Sequence, residues 1–94
     1  MRGRARHLRE PDPRLLEPGD IVVVAFADPG WTPIFPSVAG LVMEVGGGLC
    51  HAAVVARELQ VPAVFGARDA RARIPDGAMI EIDGATGEIV LGPA

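Results

Sequence analysis

The sequence predicts an α/β domain with a central sheet, one principal helix and a C-terminal hairpin. Three observations favour this class. Short apolar runs rich in Val and Ile are bounded by turn residues, as in strands buried on both faces. A segment of helical composition follows a run of glycines near the middle of the chain. Two segments that alternate apolar and polar residues lie near the end, which is typical of a hairpin.

The first half of the chain predicts two strands and a loop-rich connection. The segment GRARHL predicts a strand, and REPDPR predicts the loop that follows it. The turn residues Pro18, Gly19 and Asp20 precede an apolar run that predicts a buried strand over 21–27. The next segment, WTPIFPSVAG, contains two prolines, so we expect only a short helical turn or a loop there.

The second half begins with another buried strand over 41–45, which the glycines at 46–48 end. A helix is predicted over 50–60, and the residue before Pro62 ends it because that position avoids the α region. A third short strand is expected at 62–65. The polar segment ARDARARIPDG leads into a turn, and AMIEIDG and GEIVLG then predict a hairpin over 78–91.

Composition limits the classes of function. The 94 residues suffice for one small core, and a net charge of −3 is unlike the basic face of a nucleic-acid binder. One cysteine permits no internal disulfide and suits a reducing compartment. The basic start MRGRARHLRE is followed by no apolar stretch, and no run approaches the length of a membrane span. We therefore expect a cytoplasmic protein without a nucleic-acid or membrane partner.

The junction GGGLCH places His51 between a glycine turn and a helix start. The first amides of a helix lack intrahelical partners, and the helix dipole adds positive potential, so such a junction binds anions. The dipole also disfavours an imidazolium, and a neutral imidazole can accept a phosphoryl group on nitrogen. The ordinary alternative is a histidine that caps the helix. The glycines alone do not decide between an anion-binding site and a capping histidine, since the lysine of a P-loop and the glycine spacing of a Rossmann fold are both missing.

The wider pattern resembles a known family. The stretch GLVMEVGGGLCHAAVVARELQVPAVFG is similar to the phosphohistidine region of the PEP-utilising enzymes, and the flanking segments LEPGDIVVVAFADPGWTPIFP and RIPDGAMIEIDGATGEIVL extend the likeness over nearly the whole chain. The family includes PEP synthase, rifampin phosphotransferase and pyruvate phosphate dikinase. The likeness is strongest to the branch that contains PEP synthase and rifampin phosphotransferase. It implies the swivelling β/β/α phosphohistidine fold for residues 1–94, as one mobile domain of a bacterial phosphotransferase, a transferase of kinase type.

The resemblance also implies a site and its partners. His51 would carry the phosphoryl group, and Gly47, Gly48 and Cys50 would hold it. We expect the group on Nε2, because Nδ1 lies nearer the backbone, where a local carbonyl can fix it. The resemblance also implies that Asp28 and Thr32 lie near His51 as auxiliary residues. Arg57 is a further candidate, but it lies six residues past His51 on the helix, so we expect it to form an ion pair or a docking contact and not to touch the phosphate. No metal ligand set and no cofactor is expected on this domain; ATP or PEP, with Mg²⁺, would bind on nucleotide-binding and substrate-binding partner domains.

Two departures from the family pattern qualify these expectations. Leu49 stands where many members have Thr or Ser, and Cys50 stands where Ser is frequent, so backbone amides would carry more of the phosphate contact. The family also has a Gly-rich segment and a further strand turn before GRAR, so this domain would be an excised, free-standing or degenerate copy lacking that N-terminal segment.

Further alternatives and expectations concern individual side chains. The domain would be a non-catalytic docking or regulatory module if His51 only caps the helix, and a thiol hydrolase if Cys50 were the nucleophile. Trp31, Ile34 and Phe35 would either pack under their loop or form an exposed patch. We expect His51 to be exposed within a rim of small residues, formed by Gly47, Gly48, Ala52 and Ala53. We also expect one face of the helix to lie in the core, formed by Ala52, Val55 and Leu59.

Overall fold

The described residues of the computed structural model are 2–8, 10, 12–27, 29–46 and 50–91, and they form a curled six-stranded sheet with helices on both faces. The strands are β1 (Arg2–His7), β2 (Asp20–Val24), β3 (Gly40–Met43), β4 (Ala63–Val64), β5 (Met79–Asp83) and β6 (Glu88–Leu91). The α-helices are α1 (His51–Glu58) and α2 (Ala70–Arg73), and 3₁₀ segments span Pro13–Leu15 and Pro29–Ser37.

The order of the strands across the sheet is β4-β3-β2-β1-β5-β6. Strands β1 to β4 are mutually parallel, whereas β5 pairs antiparallel with β1 and with β6. Because the four parallel strands point the same way, the segments that follow them meet at one edge of the sheet. We call this the carboxyl edge, and α1 starts there.

Each face of the sheet has its own core. On one face Ile21 and Val23 of β2 pack in a cluster with Ile80 and Ile82 of β5 and with Ile74 beyond α2. On the other face Val22 and Val24 belong to a second cluster, which contains Leu41, Met43, Ile34, Phe35 and Ala52. Strand β2 is therefore buried on both sides, as its unbroken apolar run requires. The 3₁₀ segment Pro29–Ser37 and α1 cover the second face and contact each other.

The predicted α/β class, the principal helix near His51 and the C-terminal hairpin are confirmed. Two local predictions were wrong. The proline-rich segment forms nine residues of 3₁₀ helix, because the φ that proline fixes is also the φ of a 3₁₀ helix. The polar segment after β4 contains α2, which sequence patterning missed because four residues are too few to show a period.

The alternatives for the aromatic loop are also decided. Ile34 and Phe35 are fully buried, and Trp31 is half-buried against the same cluster, so these side chains pack beneath their segment. On α1 the buried face consists of Ala52, Ala53 and Ala56, whereas Leu59 is exposed because the helix ends at Glu58 and Leu59 is its C-cap. The expected core position for Leu59 was therefore wrong.

Candidate functional site

His51 is the first residue of α1, and its side chain is exposed. Cys50 precedes it as the N-cap residue, in an extended conformation and without a side-chain hydrogen bond to the helix. The carbonyl of Cys50 accepts the backbone N–H of Val54, so the amides before Val54 lie in the uncapped first turn. Since Cys50 is the N-cap, the alternative that His51 itself caps the helix is not supported.

Among the residues that the structure describes, one side chain lies within hydrogen-bonding range of the imidazole. The distance from Thr32 Oγ1 to His51 Nε2 is 3.4 Å, and Thr32 is half-buried in the 3₁₀ segment that packs against α1. If Nδ1 carries the ring proton, the threonine hydroxyl donates to Nε2; in the other tautomer Nε2–H donates to the hydroxyl. The contact therefore ties the ring of His51 to the segment that follows β2.

The backbone between β3 and α1 turns at a glycine. Gly46 has a φ of +107°, a conformation that side chains with a Cβ rarely adopt. A Cβ built at Gly46 would lie 3.3 Å from Cys50 Sγ and 3.5 Å from Met43 Cε. A side chain at position 46 would thus press on Cys50, so the two residues lie close together on either side of residues 47–49. The predicted phosphoryl-binding residues Gly47 and Gly48, together with Leu49, lie outside the described residues.

The remaining candidates have different positions. Asp28 lies outside the described residues. Cys50 is half-buried and packs against the second core. Arg57 is exposed on the last turn of α1, where it borders a surface cleft with Gln60 and Phe65. Arg57 is thus placed away from the helix start, whereas Cys50 and Thr32 both adjoin His51.

The predicted rim of small side chains was partly wrong. Ala52 and Ala53 are buried, because they face the sheet rather than the solvent around His51. The exposed side chains at this edge are larger: Phe26, Val45 and Val54. The sequence pattern assigned Phe26 and Val45 to buried strands. The strands in fact end at Val24 and Met43, two residues before Phe26 and Val45 respectively.

The sequence did not predict the hydrogen bond and ion pair that Glu44 forms with Arg71 near the site. Glu44 follows β3, and its Oε2 accepts the backbone N–H of Arg71 at 2.8 Å while its Oε1 lies 3.4 Å from Arg71 Nε. The backbone N–H of Ala67 also donates to the carbonyl of Met43. These bonds fix the end of β3 against the segment that leads to α2. The partners are 27 residues apart, a separation at which no spacing rule applies.

The described residues hold no group of three or more His, Cys, Asp or Glu side chains arranged to bind a metal ion. Within the same ranges, none of the helices has both the length and the apolar character to cross a membrane.

Comparison with known proteins places this geometry in context. The rifampicin phosphotransferase of Bacillus cereus is 51% identical over 89 residues, which are 95% of this chain and 10% of that protein. The chondramide synthase cmdD of Chondromyces crocatus is 48% identical over 91 residues, 96% of this chain and 2% of its own length. The chain thus spans about a tenth or less of the relatives named here.

A solved structure and a family description agree with these relatives. The solution structure of an enzyme I protein (nEIt) superimposes with a TM-score of 0.72 and 30% identity, covering 84% of this chain and 33% of the other. Residues 16–87 match the family described as PEP-utilising enzyme, mobile domain. The chain belongs to the mobile-domain family of the PEP-utilising enzymes.

Proposed function

We propose that this domain is a phosphoryl carrier, which accepts a phosphoryl group on Nε2 of His51 and passes it to an acceptor held by another domain. The observation that carries the proposal is the exposed imidazole at the start of α1, with Thr32 Oγ1 3.4 Å from Nε2. The mobile-domain family supports the same role. Sequence analysis assigned this role to His51 from the glycine-histidine junction and the family resemblance.

The geometry supports a simple course for the transfer. With the ring proton on Nδ1, the lone pair of Nε2 attacks phosphorus, the bond from phosphorus to the donor oxygen breaks, and the donor leaves with that electron pair. The reverse transfer breaks the Nε2–phosphorus bond and restores the lone pair. The hydroxyl of Thr32 donates to Nε2 before the transfer and to a phosphoryl oxygen after it. The uncapped amides and the dipole of α1 favour the negative charge on the phosphoryl oxygens.

The carrier role requires partner domains. By family resemblance, one would bind ATP or PEP together with Mg²⁺ and another would bind the acceptor, so that this domain alone is not a complete enzyme. The length of the relatives, of which this region is a small part, is consistent with such partners. The name of the Bacillus cereus relative makes a rifamycin one candidate acceptor, beside pyruvate and a sugar-transport carrier. Because ATP or PEP would be the phosphoryl donor, we propose that the reaction takes place in the cytoplasm.

A chemical donor tests the proposal without a partner protein. Potassium phosphoramidate transfers its phosphoryl group to imidazole nitrogen with release of ammonia, and ³¹P NMR then detects the phosphorus–nitrogen bond. We expect the wild-type chain to form an acid-labile phosphohistidine and His51→Ala to form none at that position. Because His51 is exposed, His51→Ala should keep the wild-type melting temperature within a few degrees.

His7 provides the matched control, since it is the other histidine of the chain. The variant His7→Ala should still be phosphorylated at His51, with the same two-dimensional ¹H–³¹P correlation as the wild type. Phosphorylation of the His51→Ala variant to the wild-type extent would reject His51 as the carrier.

A further inference from the structure

We infer that three exposed apolar side chains beside His51, namely Phe26, Val45 and Val54, form the surface on which the phosphoryl-donor domain docks. We call them the apolar rim. Their exposed fractions are 53%, 51% and 42%, which are large for side chains of this kind. The inference rests on the proposed carrier function and adds the contact surface of its partner.

Backbone pairing brings the first two rim residues together. In the register of β2 and β3, Val24 lies opposite Met43. The next residues continue this pairing, since Glu44 donates its N–H to the carbonyl of Val24 and Val45 donates to Ala25. Val45 is thus hydrogen-bonded to the residue before Phe26, so both rim residues lie just beyond the paired strands, at the carboxyl edge. Val24 and Met43 belong to the core that α1 covers.

The rim then continues to the nucleophile. Gly46 follows Val45 and lies close to Cys50, which directly precedes His51. Val54 lies three residues after His51, so the two side chains are neighbours on the surface of α1. Val54 therefore lies beside His51 on α1, and Phe26 and Val45 follow β2 and β3 at the edge of the sheet where α1 starts. A macromolecule that brings a phosphoryl group within bonding distance of Nε2 has to cover them.

Three observations select a protein domain as the occupant. The rim residues carry no charge, and the chain has a net charge of −3, which suits neither a nucleic acid nor an anionic membrane surface. An apolar centre with an aromatic residue is the usual core of a protein interface. Relatives that match almost all of this chain devote about a tenth of their length to it, so most of each relative is other protein. We commit to the donor domain, because phosphorylation of His51 requires it to contact this edge.

The test compares a donor that needs docking with one that does not. The full chain is phosphorylated by phosphoramidate, and separately by the Bacillus cereus rifampicin phosphotransferase whose residue aligned with His51 is replaced by alanine. The second reaction contains Mg²⁺ and ATP, with PEP in a parallel sample. The test variant is Phe26→Ser/Val45→Ser. The control is Met79→Ser, which removes a side chain of 42% exposure that lies beside Gly19 and Asp20, at the opposite end of the parallel strands.

We expect the double variant to lose about tenfold or more in transfer from the protein donor, as for the loss of an interface hot spot. Its reaction with phosphoramidate should stay within about twofold of wild type, and Met79→Ser should resemble wild type in both reactions. Circular dichroism of the variants should show the wild-type fold.

The remaining outcomes separate the two proposals. If the wild type accepts nothing from phosphoramidate, the carrier function fails. If phosphoramidate works but the protein donor does not, or if the donor transfers equally to the wild type and the double variant, the carrier function stands and the docking surface is rejected. If sedimentation shows a wild-type dimer that the double variant abolishes, the rim binds a second copy of the chain, and the donor domain is rejected as its occupant.

Discussion

At the residue scale, the pairing of Thr32 with His51 is the contact that most directly bears on chemistry. Its 3.4 Å separation is long for a strong hydrogen bond, and His51 is exposed, so water competes with the threonine hydroxyl for Nε2. The contact therefore orients the ring more than it adds to stability. Its value for transfer depends on the hydroxyl and not on the methyl group of the threonine.

A pair of substitutions separates these two groups. We expect Thr32→Val to lower the rate of phosphoryl transfer to His51 by about tenfold, because the hydrogen bond of about 1 to 1.5 kcal/mol that the hydroxyl donates to a phosphoryl oxygen during the transfer is lost. Thr32→Ser keeps the hydroxyl and should retain most of the wild-type rate. The measurement is the rate of phosphohistidine formation with phosphoramidate, followed by ³¹P NMR. Equal rates for Val and Ser would show that the hydroxyl has no part in the reaction.

The residue scale is also where sequence reasoning reached its limit. The glycine-histidine junction indicated an anion site, yet only the family resemblance placed Thr32 near His51. A contact across 19 residues depends on how the 3₁₀ segment packs on α1, and no local pattern encodes that packing. The exposed side chains of the apolar rim were missed for a related reason. An apolar run shows where a strand lies but not at which residue it leaves the core.

At the scale of elements, the turn from β3 to α1 fixes the start of the helix. The sequence predicted this start correctly, since three consecutive glycines end a strand and Cys50 and His51 begin a region of helix-forming residues. The sequence also predicted β2 and β3, because short apolar runs such as IVVV and GLVM, bounded by turn residues, favour a buried strand. Strand β4 has two residues, and its place in the sheet comes from pairing with β3 and not from its own composition.

A substitution at Gly46 measures how much the stability of the domain depends on a glycine at this position. We expect Gly46→Ala to destabilise the domain by about 1 to 3 kcal/mol, because a Cβ requires strain at positive φ and presses on Cys50 Sγ. Gly77→Ala is the matched control, since Gly77 has a φ of +87° and open space around its Cα. The difference between the two variants in urea denaturation isolates the contact with Cys50. Equal losses would mean that the contact adjusts without cost.

At the scale of the whole molecule, one buried carboxylate joins segments that are distant in the sequence. Asp20 is 2% exposed, and its Oδ2 accepts a hydrogen bond of 3.0 Å from Arg6 Nε and one of 2.9 Å from the backbone N–H of Glu17. Its carbonyl accepts the N–H of Ala39, just before β3. The hydrogen bond to Asp20 raises the pKa of Arg6, so it favours the charged guanidinium.

Removing this carboxylate should therefore weaken the whole domain and not one strand. We expect Asp20→Ala to lower the free energy of unfolding by about 1.5 to 3 kcal/mol, because the buried carboxylate no longer accepts hydrogen bonds from the N–H of Glu17 and from Arg6. Asp20→Asn keeps an acceptor oxygen and should lose less. Arg4→Ala serves as the control, since its ion pair with Glu17 is exposed and worth well under about 1 kcal/mol. Chemical denaturation followed by circular dichroism and by Trp31 fluorescence should give one coincident transition for each variant. A loss in Asp20→Ala no larger than that in Arg4→Ala would show that the buried pair does not hold the parallel strands together.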